Sequence, residues 1–116
     1  MDERLAPCPT TPNCVSSYAQ DEVHAVEPLP LPAEDDATGA LRRIVESFPR
    51  TRIVTVDDEY LHATFASRIF RFVDDVEFLV DRTAGLVHVR SASRLGHGDL
   101  GVNRKRVEEI RALLTD

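Results

Sequence analysis

Long apolar runs, lysine and cysteine are the scarce features of this 116-residue chain. No apolar run approaches the ~20 residues that a membrane-spanning helix requires, so no span is expected. Of the 14 basic residues, Lys105 alone is a lysine. Arginine offers a planar fork suited to carboxylate or phosphate, but a GC-rich coding sequence produces the same bias, so the excess separates nothing by itself. The 20 acidic residues leave a net charge of −6, which argues against a general nucleic-acid binder because phosphate neutralisation needs a basic face. Internal repeats and low-complexity tracts are also missing. The opening Met1-Asp2-Glu3-Arg4 lacks the basic-then-apolar pattern of a signal peptide. A soluble, cytoplasmic chain is therefore expected.

Only two cysteines are present, in Cys8-Pro9-Thr10-Thr11-Pro12-Asn13-Cys14. Five intervening residues fit neither a redox Cys-x-x-Cys nor a zinc knuckle, and no second pair completes four ligands. A small disulfide loop suits an oxidising compartment and two free thiols suit a reducing one. Both readings stay open, with metal or redox chemistry behind them.

What is present reads as one domain spanning 1–116, with an extended proline-rich arm over 1–32 and a folded body over 33–116. Six of the seven prolines lie in the arm, where fixed φ and missing donors favour an extended path, with one strand near Val23 to Pro28. Val15, Tyr18, Val26, Leu29 and Leu31 give the arm apolar anchors. A first helix begins near Asp35–Asp36, repeats apolar residues at Ala37, Leu41, Ile44, Val45 and Phe48, and stops at Pro49. Four strands follow: Thr51 to Val56, Tyr60 to Ser67, Val76 to Asp81 and Leu86 to Ala92. Arg68 to Phe72 forms a bend or a further strand. The connections are too short for parallel neighbours, so the block is an antiparallel meander. A last helix over Asn103 to Leu114 places Val107, Ile110, Leu113 and Leu114 on one stripe, with Arg104–Glu108 and Glu108–Arg111 pairs outside. The expected fold is an α+β two-layer sandwich: an antiparallel meander of about four to five strands, two helices packed on one face, and the extended arm.

Chemistry concentrates between Arg90 and Arg106. Gly96-His97-Gly98-Asp99-Leu100-Gly101 matches the dinucleotide pattern G-x-G-x-x-G in letters. It lacks the βαβ unit and an acidic residue ~20 positions later, so no nucleotide cofactor is expected. A phosphate-binding P-loop fails because Val102-Asn103 stands where Lys-Ser/Thr should be. Ser91, Ser93, His97 and Asp99 contain hydrolase residue types but no nucleophile elbow. His24, His62, His88 and His97 lack metal-ligand spacing, and a metal would require His62, His88 and Glu77 to share the open sheet face. What survives is glycine-rich backbone beside a helix N-terminus, flanked by guanidinium groups, which is how anions are held. In that reading Arg90, Arg94 and Arg104 contact a carboxylate or phosphate, Ser91, Ser93 and backbone N–H groups orient it, Asp99 and Asn103 belong to the same candidate set, and Arg68 and Arg71 stand nearby. The structural alternative pairs Arg68 and Arg71 with Asp74, Asp75 or Glu77. Parity puts His62, Thr64, Glu77, His88 and Arg90 together on the uncovered sheet face.

Three segments in order, Cys8-Pro9 with Pro12-Asn13-Cys14-Val15-Ser16-Ser17, Arg68 to Glu77, and Arg90 to Gly96 with Asp99 to Arg104, closely resemble the family catalogued as domain of unknown function 1499. The resemblance runs from about Leu5 to Leu114. It implies a mainly bacterial group with plastid relatives, some carrying a lipoprotein signal or membrane segment, and hence association with the cell envelope. It carries no catalytic residues. The expected function is a non-enzymatic binding or accessory domain with a small anionic ligand or a protein partner. The rivals are a small enzyme using His97 or Asp99 as general base, and a purely structural protein–protein module.

Overall fold

The computed structural model describes residues 5–69, 72–96 and 98–115. In chain order the elements are β1 (Cys14–Ser16), β2 (Leu29–Pro30), α1 (Ala37–Glu46), β3 (Thr51–Val56), β4 (Tyr60–Ala66), β5 (Val73–Asp81), β6 (Leu86–Ser93) and α2 (Val102–Thr115). The expected α+β sandwich is present. Its sheet runs β1-β6-β5-β4-β3, antiparallel throughout, and β2 also pairs with β6.

Local chemistry accounts for the helix start. The Asp36 carboxylate accepts from the Gly39 N–H at 3.0 Å, which satisfies one of the donors a helix start leaves open. Glycine leaves room for this cap, because a Cβ at position 39 would stand 2.2 Å from Asp36 Oδ2 and push the carboxylate aside. Ala37, Leu41 and Val45 are fully buried against the sheet. The Ser47 hydroxyl donates to the Ile44 carbonyl at the other end, just before Pro49.

Three expectations shift. The arm contributes two short strands to the sheet edge, and its second lies at Leu29–Pro30 rather than Val23 to Pro28. The position suits Pro30, since an edge strand tolerates a missing N–H. The third meander strand starts at Val73, three residues before Val76. Residues 68 and 69 form the preceding turn, closed by the Ser67 N–H donating to the Phe72 carbonyl at 2.8 Å. Leu113 is 46% exposed and leaves the apolar stripe of α2, which is carried by Val107, Ile110 and Leu114.

Both helices cover one face of the sheet, over Leu61, Ala63, Val76, Phe78, Val87 and Val89. Burial of this set supplies the main driving force, at roughly 25 cal/mol per Å². The opposite face is covered in part by the arm. Leu5 and Tyr18 pack on Tyr60 and Leu79, so Tyr60 is buried although its parity is outward.

The arm is held by side chains that cross to it. Arg104 donates to the carbonyls of Glu22, Val23 and Ala25, and Arg111 to those of Glu27 and Pro28. The expected Arg104–Glu108 pair is replaced by these bonds, because three carbonyls in a turn suit a five-donor fork. The Glu108–Arg111 pair is present. Cys8 and Cys14 form a disulfide with Cα atoms 5.7 Å apart, which selects the first of the two cysteine readings.

Reducing this disulfide should lower the unfolding free energy by about 2 kcal/mol, the chain-entropy value for so short a loop. Urea titrations with and without a dithiol reductant measure it. A second expectation concerns pH. Buried His24 contacts the Thr11 carbonyl through Nε2 at 2.9 Å and the Asp21 carboxylate through Nδ1 at 2.7 Å, and only the doubly protonated ring donates at both. The Thr11 carbonyl first, and Asp21 second, raise its pKa above 6.5. Stabilisation from a raised pKa is complete below the unfolded value and disappears as pH rises through the folded one. Between about pH 6 and about pH 8 the wild type should therefore lose stability relative to His24→Gln, read as the change in the difference between their urea midpoints.

Candidate functional site

The join between β6 and α2 folds around Asn103, which has no exposed surface. Its side-chain carbonyl accepts from the Ser91 hydroxyl at 2.6 Å and from Arg106 Nη1 at 2.9 Å. Its amide donates to Asp99 Oδ2 at 2.7 Å, Ser93 Oγ at 3.0 Å and the Asn13 carbonyl at 3.3 Å. Asn13 in turn donates to the Gly96 carbonyl at 2.8 Å. A buried amide with partners on both atoms avoids the desolvation cost that an unpaired one carries.

Asp99 closes the N-terminus of α2. Its carboxylate accepts from the N–H groups of Gly101 at 2.9 Å and Asn103 at 3.1 Å. Burial pushes this carboxyl up, but hydrogen bonds from the Asn103 side chain and from the backbone of Asn103 and Gly101 outweigh it and leave the pKa lowered. The helix end that the sequence marked as an anion cradle thus holds the chain's own carboxylate, aided by the helix dipole. Gly101, at φ 78°, makes the turn that brings those N–H groups round.

Arg106 extends the network into the sheet. Its Nη2 lies 2.9 Å from Asp74 Oδ2, both side chains being nearly buried, and its guanidinium stands 4.7 Å above the Phe65 ring centre. Phe48 meets the same ring edge-on at 5.5 Å. These groups form one end of a cavity of about 600 Å³, walled by Phe48, Phe65, Phe72, Val73, Leu95 and Val102. Ser93, Gly96, Gly98 and Asp99 of the strand-to-helix corner also line it, and Arg50, Lys105 and Glu109 complete its polar border. Arg50 and Lys105 have no ion-pair partner among the described residues.

The sequence-marked residues separate. Ser91, Ser93, Asp99 and Asn103 join on the helix side of the sheet. Arg90 and Arg94 lie on the other face: Arg90 Nη1 is 3.5 Å from Glu77 Oε1, and Arg94 grips Asp75 through Nε at 2.8 Å and Nη2 at 3.0 Å. Arg104 reaches away to the arm. Arg68 is exposed in the β4–β5 turn with no ion pair among the described residues, so its expected pairing with Asp74, Asp75 or Glu77 is corrected. Those acids have other partners: Asp74 meets Arg106, Asp75 meets Arg94 and Glu77 meets Arg90. Arg71 and His97 lie outside the described residues.

The open face holds its own ladder. His62 Nε2 is 2.8 Å from Asp75 Oδ1, and the Tyr60 hydroxyl donates to Glu77. The Arg94 guanidinium, with His62 adding to it, holds the Asp75 carboxyl below the usual range against partial burial. Burial lowers the pKa of His88, which stacks on Tyr18 with ring centres 4.5 Å apart. His62, His88 and Glu77 do share this face, yet no three His, Cys, Asp or Glu side chains converge on a metal-sized point among the described residues.

Sequence reasoning named Arg106 only as a flank of the anion cradle, and passed over Asn13, Phe48 and Phe65 as site residues and the cavity itself. For Asp74 a signal existed: it stands two residues before Val76 and so shares core parity. Asp74→Ala should destabilise by roughly 3–5 kcal/mol, the cost of leaving a buried charge unpaired. Arg68→Ala should change stability by less than about 0.5 kcal/mol. Urea unfolding of the two variants separates the pairing seen here from the one expected.

No helix among the described residues is long and apolar enough to cross a membrane. No curated protein and no solved structure matches the chain. The sequence pattern of the family described as "Protein of unknown function (DUF1499)" matches residues 4–114, and the chain belongs to that family.

Proposed function

We propose that this chain is a non-enzymatic binding domain whose ligand is a small amphiphilic anion, with an apolar body and a carboxylate or phosphate head. The cavity carries the reading: about 600 Å³ lined by three phenylalanines and several aliphatic side chains, at the end of the sheet where the polar corner 90–106 lies. A largely apolar concavity with a few convergent polar groups is the usual form of a small-molecule site. Arg50, whose Nε donates to the Ala66 carbonyl at 3.0 Å, and Lys105 stand at its border without ion pairs among the described residues and supply the charge for an anionic head.

This places the head at Arg50 and Lys105 instead of at Arg90, Arg94 and Arg104, which are held by Glu77, Asp75 and the arm carbonyls. Ser93 and Asp99 still border the cavity, while Asn103 and Ser91 brace it from beneath. Asp99 supports binding more than general-base catalysis, because its carboxylate is capped and its pKa lowered.

Octyl phosphate and octanoate, below their micellar concentrations, should raise the melting temperature. Saturation at 100 times Kd corresponds to about 2.7 kcal/mol. Arg50→Glu with Lys105→Glu should weaken octyl phosphate binding about tenfold or more, the equivalent of ~1.4 kcal/mol, and leave octanol binding unchanged. An equal shift with inorganic phosphate would show that the apolar wall is irrelevant. No shift with either amphiphile would rule the reading out.

A further inference from the structure

We infer that the end of the molecule carrying the β4–β5 and β6–α2 loops docks on an anionic lipid surface. This goes beyond the groove reading and does not depend on it. Four large apolar side chains project from the two loops: Ile69 is 78% exposed, Phe72 55%, Leu95 73% and Leu100 104%. The loops are neighbours, since the Arg94 N–H donates to the Val73 carbonyl at 3.1 Å and Phe72 and Leu95 line one cavity. Scattered exposed apolar residues are ordinary, but a cluster of this kind marks an interaction surface.

Leu100 adds an independent observation. Its φ is 55°, a left-handed conformation that is unfavourable for a branched side chain and natural for glycine or asparagine. The leucine in this conformation is fully exposed, with none of the described residues sheltering it. Such strain at an exposed position points to a function outside the fold.

Charge selects the partner. Arg50, Arg68 and Lys105 stand at this end without ion pairs among the described residues. Asp74 and Asp75 are matched by Arg106 and Arg94, and Asp99 by the α2 N-terminus. Among the described acids lining the cavity, Glu109 is the one without such a match. The chain as a whole carries −6, while these three cations lie beside the apolar side chains, and an anionic surface would orient the molecule with that tip inward. Separate projecting tips ringed by cations fit a soft interface of headgroups over acyl chains better than the close-packed surface of a protein partner. Both loops contribute residues to the wall of the cavity.

Flotation with vesicles tests this. The wild-type protein should float with equimolar phosphatidylcholine–phosphatidylglycerol vesicles and much less with phosphatidylcholine alone, and binding should weaken with salt. Ile69→Glu with Leu100→Glu should cut partitioning roughly tenfold or more without changing octyl phosphate binding, because neither residue lines the large cavity. Val54→Glu, at an exposed apolar position on β3, should bind like the wild type. Leu100→Gly should weaken vesicle binding while leaving the fold as stable or more so. Failure of the wild type to float would overturn the inference, as would tip variants that float unchanged. Concentration-dependent self-association through the tip, in place of vesicle binding, would assign the surface to a second copy of the chain.

Discussion

Asn103 stands where the arm, the sheet edge and α2 converge, and its amide is bonded to all three. Ser91 and Ser93 bring β6, Asn13 brings the arm, and Asp99 and Arg106 bring the two sides of the α2 N-terminus. Through Arg106 and Asp74 the same network reaches β5. Polar groups withdrawn from water must find partners or carry their full desolvation cost. An arrangement in which each segment supplies what another lacks therefore tolerates few alternative dockings. The position of the corner, and of the cavity beside it, follows from that constraint.

The arm depends on the same economy of donors and acceptors. Extended chain rich in proline has carbonyls but few N–H groups to offer. Arg104 and Arg111 answer with guanidinium donors from α2, His24 bonds back to Thr11, and the disulfide closes the loop before β1. Two short strands and these side-chain bonds hold against β6 a segment with too little regular structure of its own. Arg104, which looked like a ligand contact in the sequence, is together with Arg111 the means by which the arm stays folded.

Alternation divides the remaining polar residues into two systems. On the helix side Asp74, Ser91 and Ser93 join the buried network. On the open side Asp75, Glu77, Arg90 and Arg94 form a ladder with Tyr60 and His62. Adjacent residues such as Arg90 and Ser91, or Asp74 and Asp75, work on opposite faces. A single site that drew on all of them was therefore out of reach geometrically. The concave surface has the buried network at one end and lies between Phe48, just past α1, Phe65 of β4 and Phe72 of the β4–β5 loop.

Periodicity sufficed for α1, α2 and the four meander strands, because a buried stripe or an alternating face is a local property of neighbouring side chains. Parity also told which of His62, Glu77 and Arg90 share a face. The cysteine pairing needed the tertiary structure, since two thiols in this spacing accept more than one fate until the backbone brings them together. So did the roles of the charged residues: an arginine's long stem reaches any of several partners, and only packing decides among Glu77, Asp75 and a carbonyl more than seventy residues away. The cavity was least visible of all, because Phe48, Phe65, Phe72 and Leu95 come from four separate segments. Sequence determined the elements and their buried faces; the three-dimensional arrangement alone determined which polar groups meet and where space is left, because both depend on contacts between residues distant along the chain.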